Sequence, residues 1–325
     1  MRLLRRISLF AGLALSSFLA PFVAAQQAAA PAPTPAASSG VKFSGYIQAR
    51  ETYQDEAGLT GSINRARLNV GGGIATNFTW RISGEFRTGN AGKGASVALA
   101  DGYIRWKKKD FGIQAGQFKT PFTREYYTTL ADVETADRAT VVDSLAPKRD
   151  IGVMADYDFH GKALLQAGVF NGEGQNVTAN KDSTVLGVAR LVVHPLKDIG
   201  FGGYVARYFG DSTRYGVEAN YEGPKLTVRG EYVAQSRDSL GGDTDHGWYG
   251  LAAYFVHKQV QLVGKYEDFS RDAISLQQRN QAWTGGANLF LAGTSVRLTL
   301  EYISREIGDP GVRKGMGLAQ LQLRF

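Results

Sequence analysis

Cysteine is absent from the 325 residues, which excludes a disulfide framework, a thiolate metal centre, a cysteine nucleophile and a lipid-modified N-terminal cysteine. Beyond residue 40 no run of about 18 apolar residues occurs, so a membrane-spanning helix is excluded there. Lys/Arg-dense runs of the kind that bind nucleic acid are also missing, and no nucleic-acid partner is expected. There is no GxSxG element, and the serines near His160, His194, His246 and His257 form no recognisable catalytic constellation. The four histidines lack an HxxxH or similar spacing. No metal, cofactor or catalytic residue is therefore expected. Proline is sparse, and four of the nine precede residue 36.

What is abundant points to strands. Forty glycines and 32 tyrosines plus phenylalanines suit a chain of many strands and tight turns. The N-terminus is different in kind. Met1, Arg2, Leu3, Leu4, Arg5 and Arg6 lead into an apolar run from Ile7 to Val23, and small residues follow at Ala24 and Ala25. This order predicts a secretory signal over residues 1–25, cleaved before Gln26. Pro21 shortens the helical run below the roughly 20 residues of a membrane anchor. The signal would carry away three of the seven surplus positive charges, Arg2, Arg5 and Arg6. Residues 26–40, QQAAAPAPTPAASSG, have too little large apolar surface to build a core and read as a flexible tether.

From Val41 to Phe325 short segments alternate between apolar and polar residues. Val296, Leu298, Leu300 and Tyr302 share one parity, against Arg297, Thr299, Glu301 and Arg305 on the other. Shifting this register by one would place Arg297 and Glu301 in hydrocarbon at up to roughly 2 to 4 kcal/mol each, so one face is lipid-like and the other aqueous. The same pattern recurs at Trp80 to Arg87, Leu226 to Tyr232 and Gly317 to Phe325.

Segments near 41–53, 62–74, 78–88, 96–107, 111–118, 150–159, 163–170, 184–194 and 200–209 are predicted strands. Seven more lie near 213–222, 225–235, 247–257, 259–269, 278–290, 295–305 and 314–325. Sixteen is an even number, as a bacterial barrel requires. The alternation is weakest at 200–209 and 278–290, and fourteen strands are the alternative. Turns at Thr76–Asn77, Lys108–Asp110, His160–Lys162, Gly223–Pro224 and Lys258 are short, as periplasmic turns are, and the intervening loops are longer, except near Gly210–Ser212. A soluble β-sandwich would also alternate, but it supplies no reason for connections to alternate in length. Residues 41–325 are thus expected to form an all-β transmembrane antiparallel barrel in contact with outer-membrane lipid.

Several segments resemble the phosphate-selective porin O and P family. The most specific are GQFKTPF at Gly116 to Phe122, APKRDIGV at Ala146 to Val153 and GVFNGEGQN at Gly168 to Asn176. INRARLNV at Ile63 to Val70 and LADGYIRW at Leu99 to Trp106 match more weakly, and Leu321, Leu323 and Phe325 are similar to the signal read by the barrel-assembly machinery. The resemblance implies a sixteen-stranded, trimeric porin of the Gram-negative outer membrane whose third external loop folds inward. The chain has a long connection at the corresponding place, Lys119 to Arg149. It does not align with the lysine cluster or full arginine ladder of the phosphate-specific members, so the expected cargo is small anionic or polar solutes with a mild anion preference, phosphate being left open. A non-transport barrel, adhesin or structural protein, is the alternative.

In this register Arg65, Arg67, Arg81, Arg87 and Arg105 face the lumen on three neighbouring strands, opposed by Glu85 and Asp101. Strands lie about 4.8 Å apart, so these side chains would form a positive wall. Arginine suits it, being permanently charged and able to take a carboxylate or phosphate through two parallel hydrogen bonds. The long loop contributes Lys119, Arg124, Arg138, Lys148 and Arg149 against Glu125, Asp132, Glu134, Asp137 and Asp143, a balanced set. The later lumen strands place Arg229 near Glu231, Lys265 near Glu267 and Arg297 near Glu301.

Overall fold

The computed structural model describes residues 40–325 except 56, 88–95, 181–182, 239–243, 274–275 and 308–311. The signal segment 1–25 and, but for Gly40, the 26–40 tether lie outside the described residues. Sixteen strands follow in order: β1 Lys42–Gln54, β2 Gly58–Ala75, β3 Phe78–Arg87, β4 Ser96–Lys108, β5 Phe111–Lys119, β6 Arg149–Asp158, β7 Ala163–Phe170 and β8 Leu186–Leu196. Then come β9 Ile199–Tyr208, β10 Ser212–Glu222, β11 Leu226–Arg237, β12 Thr244–His257, β13 Val260–Ala273, β14 Leu276–Thr294, β15 Val296–Ile307 and β16 Arg313–Arg324. Each pairs antiparallel with its sequence neighbours, and β1 pairs with β16 to close the barrel.

Closure is what lets strands live in lipid, because every backbone N–H and C=O then finds a partner without an exposed edge. The alternation supplies the two faces. Val97, Ile104, Val153, Leu191, Val217, Leu262, Leu300 and Leu321 are exposed on the outer surface, whereas Gln48, Gln117, Glu218, Asn288, Thr299, Gln320 and Gln322 are buried inside. No helix among the described residues is long and apolar enough to cross a membrane, and here the strands do so.

The seam rests on the last residue. Gly45 and Phe325 exchange backbone hydrogen bonds, Gly45 N–H to Phe325 O at 2.9 Å and Phe325 N–H to Gly45 O at 3.1 Å. A Cβ on Gly45 would overlap the Arg67 carbonyl oxygen and lie 2.7 Å from the Phe325 ring, so only glycine lets the terminal aromatic close over β1.

Two bulges re-aim side chains. Near Gln48 and Ala49 the β1–β2 register slips, so that consecutive residues Asn64 and Arg65 bond lumenal partners, Gln320 at 3.0 Å and Glu85 at 3.0 Å. A second slip near Ser83 leaves Ala100 and Asp101 both buried while Leu99 is exposed.

The connection between β5 and β6 holds the helical structure. It contains α1 (Arg124–Tyr127), a 3-10 turn (Leu130–Asp132) and α2 (Thr140–Leu145). It lies inside the barrel. Phe122, Ala139, Val141 and Val142 are inaccessible to solvent and belong with Leu186, Val188, Tyr204, Ala206, Val233, Tyr249 and Phe269 of the wall to one apolar core. The wall from β8 to β13 therefore carries an apolar patch that packs on the loop, set among buried polar and charged side chains such as Arg190, Glu218 and Glu231. This explains the weak alternation at 200–209, where inward Tyr204 and Ala206 meet the loop while Phe201 and Val205 are exposed outside.

Candidate functional site: a constricted pore beside a basic wall

The loop's neck is built from the segments that carry the family resemblance. Gly116 has φ +126°, and a Cβ there would overlap the Gly102 carbonyl oxygen, so β5 can cross β4 this closely only as glycine. The Gln117 amide donates to the carbonyls of Leu99 and Ala100, both at 3.0 Å, and to Asn176 Oδ1 at 2.9 Å. Asn176 returns its backbone N–H to Gln117 Oε1 at 2.6 Å, which joins GQFKTPF to GVFNGEGQN. Phe118 meets Phe170 edge to face at 5.4 Å. Thr120 bonds the carbonyls of Pro147 and Lys148, closing the neck, and Asp150 accepts the backbone N–H of Gly172 at 2.6 Å.

Wall side chains then pin the rest of the loop. Glu231 on β11 accepts the backbone N–H groups of Arg124 and Glu125 at 2.8 and 2.7 Å, Glu301 on β15 accepts that of Ala136 at 2.8 Å, and Glu267 on β13 takes the Thr140 hydroxyl at 2.6 Å. Arg50 on β1 grips Asp137 through two hydrogen bonds of 2.8 and 2.9 Å. Burial would raise the Asp137 carboxyl, but these bonds hold it below the ordinary aspartate range. Asn288 and Arg297 donate to the carbonyls of Glu134 and Val133 at 2.8 and 3.0 Å, and Gln322 to that of Ala131 at 3.1 Å. The loop thus presses against the wall from β10 round to β16 and β1.

The expected site residues divide into groups. Arg65 and Arg67 share Glu85, Arg65 at 3.0 Å. Arg105 pairs with Asp156 at 2.7 Å. Arg81 is exposed and has no hydrogen-bond or ion-pair partner among the described residues. Arg87 ends β3, and its side chain lies outside the described residues. In the loop, Lys119 donates to the carbonyls of Tyr126, Tyr127 and Thr128 at 2.8, 3.2 and 2.8 Å. Arg138 converges on the same end of α1, donating to the carbonyls of Glu125 and Thr128 at 3.0 Å each. Arg149 bonds Asp101 at 2.7 Å, Arg124 pairs with Glu222, and Lys148 is exposed.

Arg229 bonds Glu134 of the loop instead of its strand neighbour Glu231, which frees Glu231 to hold α1 together with the hydroxyls of Tyr204 and Tyr249 at 3.1 and 2.8 Å. Lys265 does keep Glu267, at 3.5 Å. Sequence reasoning did not single out Arg50 or the anchoring carboxylates as loop holders. Their inward parity was readable, but their partners lie up to 165 residues away.

Between the loop and β1 to β6 an opening remains. A cavity of ≈ 290 Å³ is lined there by five basic side chains, Arg67, Arg81, Lys119, Arg149 and Arg324, and by one acid, Asp101. It meets a second space of ≈ 500 Å³ at the short-turn end, and Arg81, Asn69, Ser44 and Tyr103 line both. No group of three or more metal-ligating side chains occurs among the described residues.

A closed sixteen-strand barrel with polar side chains inside, an apolar exterior and an inward loop that narrows the lumen is the architecture of a porin. The chain belongs to the phosphate-selective porin O and P family, whose model matches residues 41–206, and it is a channel for passive diffusion of small hydrophilic solutes. Solved structures share the fold at low identity. The anion-selective porin from Comamonas acidovorans is 14% identical with a TM-score of 0.68, covering 88% of this chain and all of that one. The trimer form of OmpT from Vibrio cholerae is 12% identical with a TM-score of 0.69, covering 89% and 100%. The outer membrane channel DcaP of Acinetobacter baumannii is 12% identical with a TM-score of 0.67, covering 88% and 97%. No curated protein matches the sequence.

Proposed function

We propose that this porin acts as a homotrimer in the outer membrane, after removal of residues 1–25, and favours small anions. The observation that carries the anion preference is the set of side chains lining the opening, five basic to one acidic. Its field is sustained by residues that no solute has to touch. Lys119 and Arg138 are held by carbonyl oxygens at the end of α1, and Arg65 and Arg67 together outnumber the Glu85 they share. In a narrow, low-dielectric passage such charges act with little screening. Arg65, Arg67, Arg81, Arg87 and Arg105 carry the bias in this reading, and Lys119, Arg124, Arg138, Lys148 and Arg149 set or support the constriction. The trimer draws support from the OmpT trimer form.

Planar-bilayer recordings of the purified protein test the proposal. Stepwise conductance is expected, and excising residues 121–147 should enlarge each step. A native protein without steps would leave the non-transport barrel, and unchanged steps after excision would remove the constriction role from the loop.

A further inference from the structure

We propose that the cavity at Arg81 is a binding subsite for hydroxylated monocarboxylates, the class of the sugar acids, and that it discriminates against inorganic phosphate. The inference rests on the reading of the chain as an anion-favouring channel and names the cargo of that opening.

The bases lining the cavity differ in what they have left to give. Arg149 is bound to Asp101 through two hydrogen bonds of 2.7 and 3.3 Å, Arg67 is paired with Glu85 and Arg324 with Asp132. Lys119 spends its three protons on backbone carbonyls. Arg81 alone among these five has no partner among the described residues. A solute entering the opening therefore meets a general positive field but one uncommitted guanidinium. One guanidinium matches one carboxylate, through two parallel hydrogen bonds. A phosphate dianion would have to shed water around a second charge for which no free cation stands by, with Asp101 on the same lining to repel it.

The neutral groups complete the argument. Ser44, Asn69, Tyr103, Gln114 and Thr129 line the same cavity. Hydroxyls and amides both donate and accept. The Gln114 amide and the Tyr103 and Thr129 hydroxyls make no side-chain hydrogen bond among the described residues, so they are free for a ligand. A solute that carries hydroxyls beside its carboxylate can use donors and acceptors alike, whereas a phosphate dianion is almost wholly an acceptor. The placement is suited to transit. Arg81 stands where the cavity joins the space at the short-turn end, so a solute held there lies between the loop and that end.

The experiment measures block of chloride current through the native protein in a planar bilayer at pH 8. Sodium gluconate, sodium acetate or sodium phosphate is added to one side, and the half-blocking concentration is read from current fluctuations. Gluconate should block at a concentration at least about tenfold below acetate, the effect expected of its hydroxyl contacts, and at least about tenfold below phosphate. Arg81→Gln should raise the gluconate value about tenfold, and Arg81→Lys should fall between. Gln114→Leu should weaken gluconate block and leave acetate unchanged, and it carries the test if Arg81→Gln does not assemble. Phosphate blocking at or below the gluconate concentration overturns the proposal, as does acetate matching gluconate, or Arg81→Gln blocked like the native protein. A native protein without conductance steps overturns the channel reading itself and this subsite with it.

Discussion

Glu231, on the wall strand β11, accepts the backbone N–H of Glu125 from the inward loop at 2.7 Å. The same carboxylate takes the Arg124 N–H at 2.8 Å, so one side chain satisfies two donors in the first turn of α1. Hydrogen bonds to a charged group are worth roughly 1.5 to 3 kcal/mol each. Glu231→Ala should therefore loosen the loop and raise both single-channel conductance and open-channel noise, with Glu231→Gln intermediate. Conductance and noise equal to the native protein's would show that the loop does not depend on this anchor.

Glu125 should give the constriction a pH dependence. Its side chain is fully buried, one oxygen accepts the Ala139 N–H at 2.9 Å and the other has no partner. Burial, and then the neighbouring Glu231, push the carboxyl up to about 7, against the opposing pull of Lys265 and Arg138. An acid raised in the docked loop is docked most firmly while protonated, below the ordinary carboxylate range, and loses that stability as pH rises toward about 7. Open-channel noise should increase between pH 5 and pH 8, and Glu125→Gln should flatten the profile. A profile unchanged by the substitution would assign the pH response to other groups.

Much of the barrel was legible because lipid enforces parity. Val296 to Tyr302 and Trp80 to Phe86 could take one register only, and all sixteen strands lie where the alternation puts them. Less legible were strand lengths, since β14 runs from Leu276 to Thr294 beyond its expected 278–290, mostly at the short-turn end. Gly285 and Gly286 blur its pattern, and the Glu301 side chain lies over Gly286. The inward parity of Arg65, Arg67 and Arg105 was readable, and each bonds a lumenal carboxylate. The commitment of each base was not, because Asp156 reaches Arg105 from 51 residues away and Arg229 turns to Glu134 in the loop.

Gly45 and Phe325 close the seam by exchanging backbone hydrogen bonds. Gly45→Val places a branched side chain against the Arg67 carbonyl, which strand pairing fixes, and against the Phe325 ring. Heat-modifiable migration on gels should be largely lost in this variant and reduced in Phe325→Ser. Full assembly of Gly45→Val would show that the seam tolerates what its geometry forbids.

The mature protein should begin near Gln26. Its intact mass after purification from outer membranes checks this, and retention of residues 1–25 would contradict the signal reading.

The anion preference is the central claim, and the reversal potential across a potassium chloride gradient tests it most directly. At physiological salt the Debye length is about 8 Å, comparable to the half-width of a constricted pore, so wall charges remain visible to a passing ion. The native channel should favour chloride, less so as salt rises, and Arg65→Glu combined with Arg81→Glu should move the potential toward cations. A native channel that prefers potassium would contradict the account.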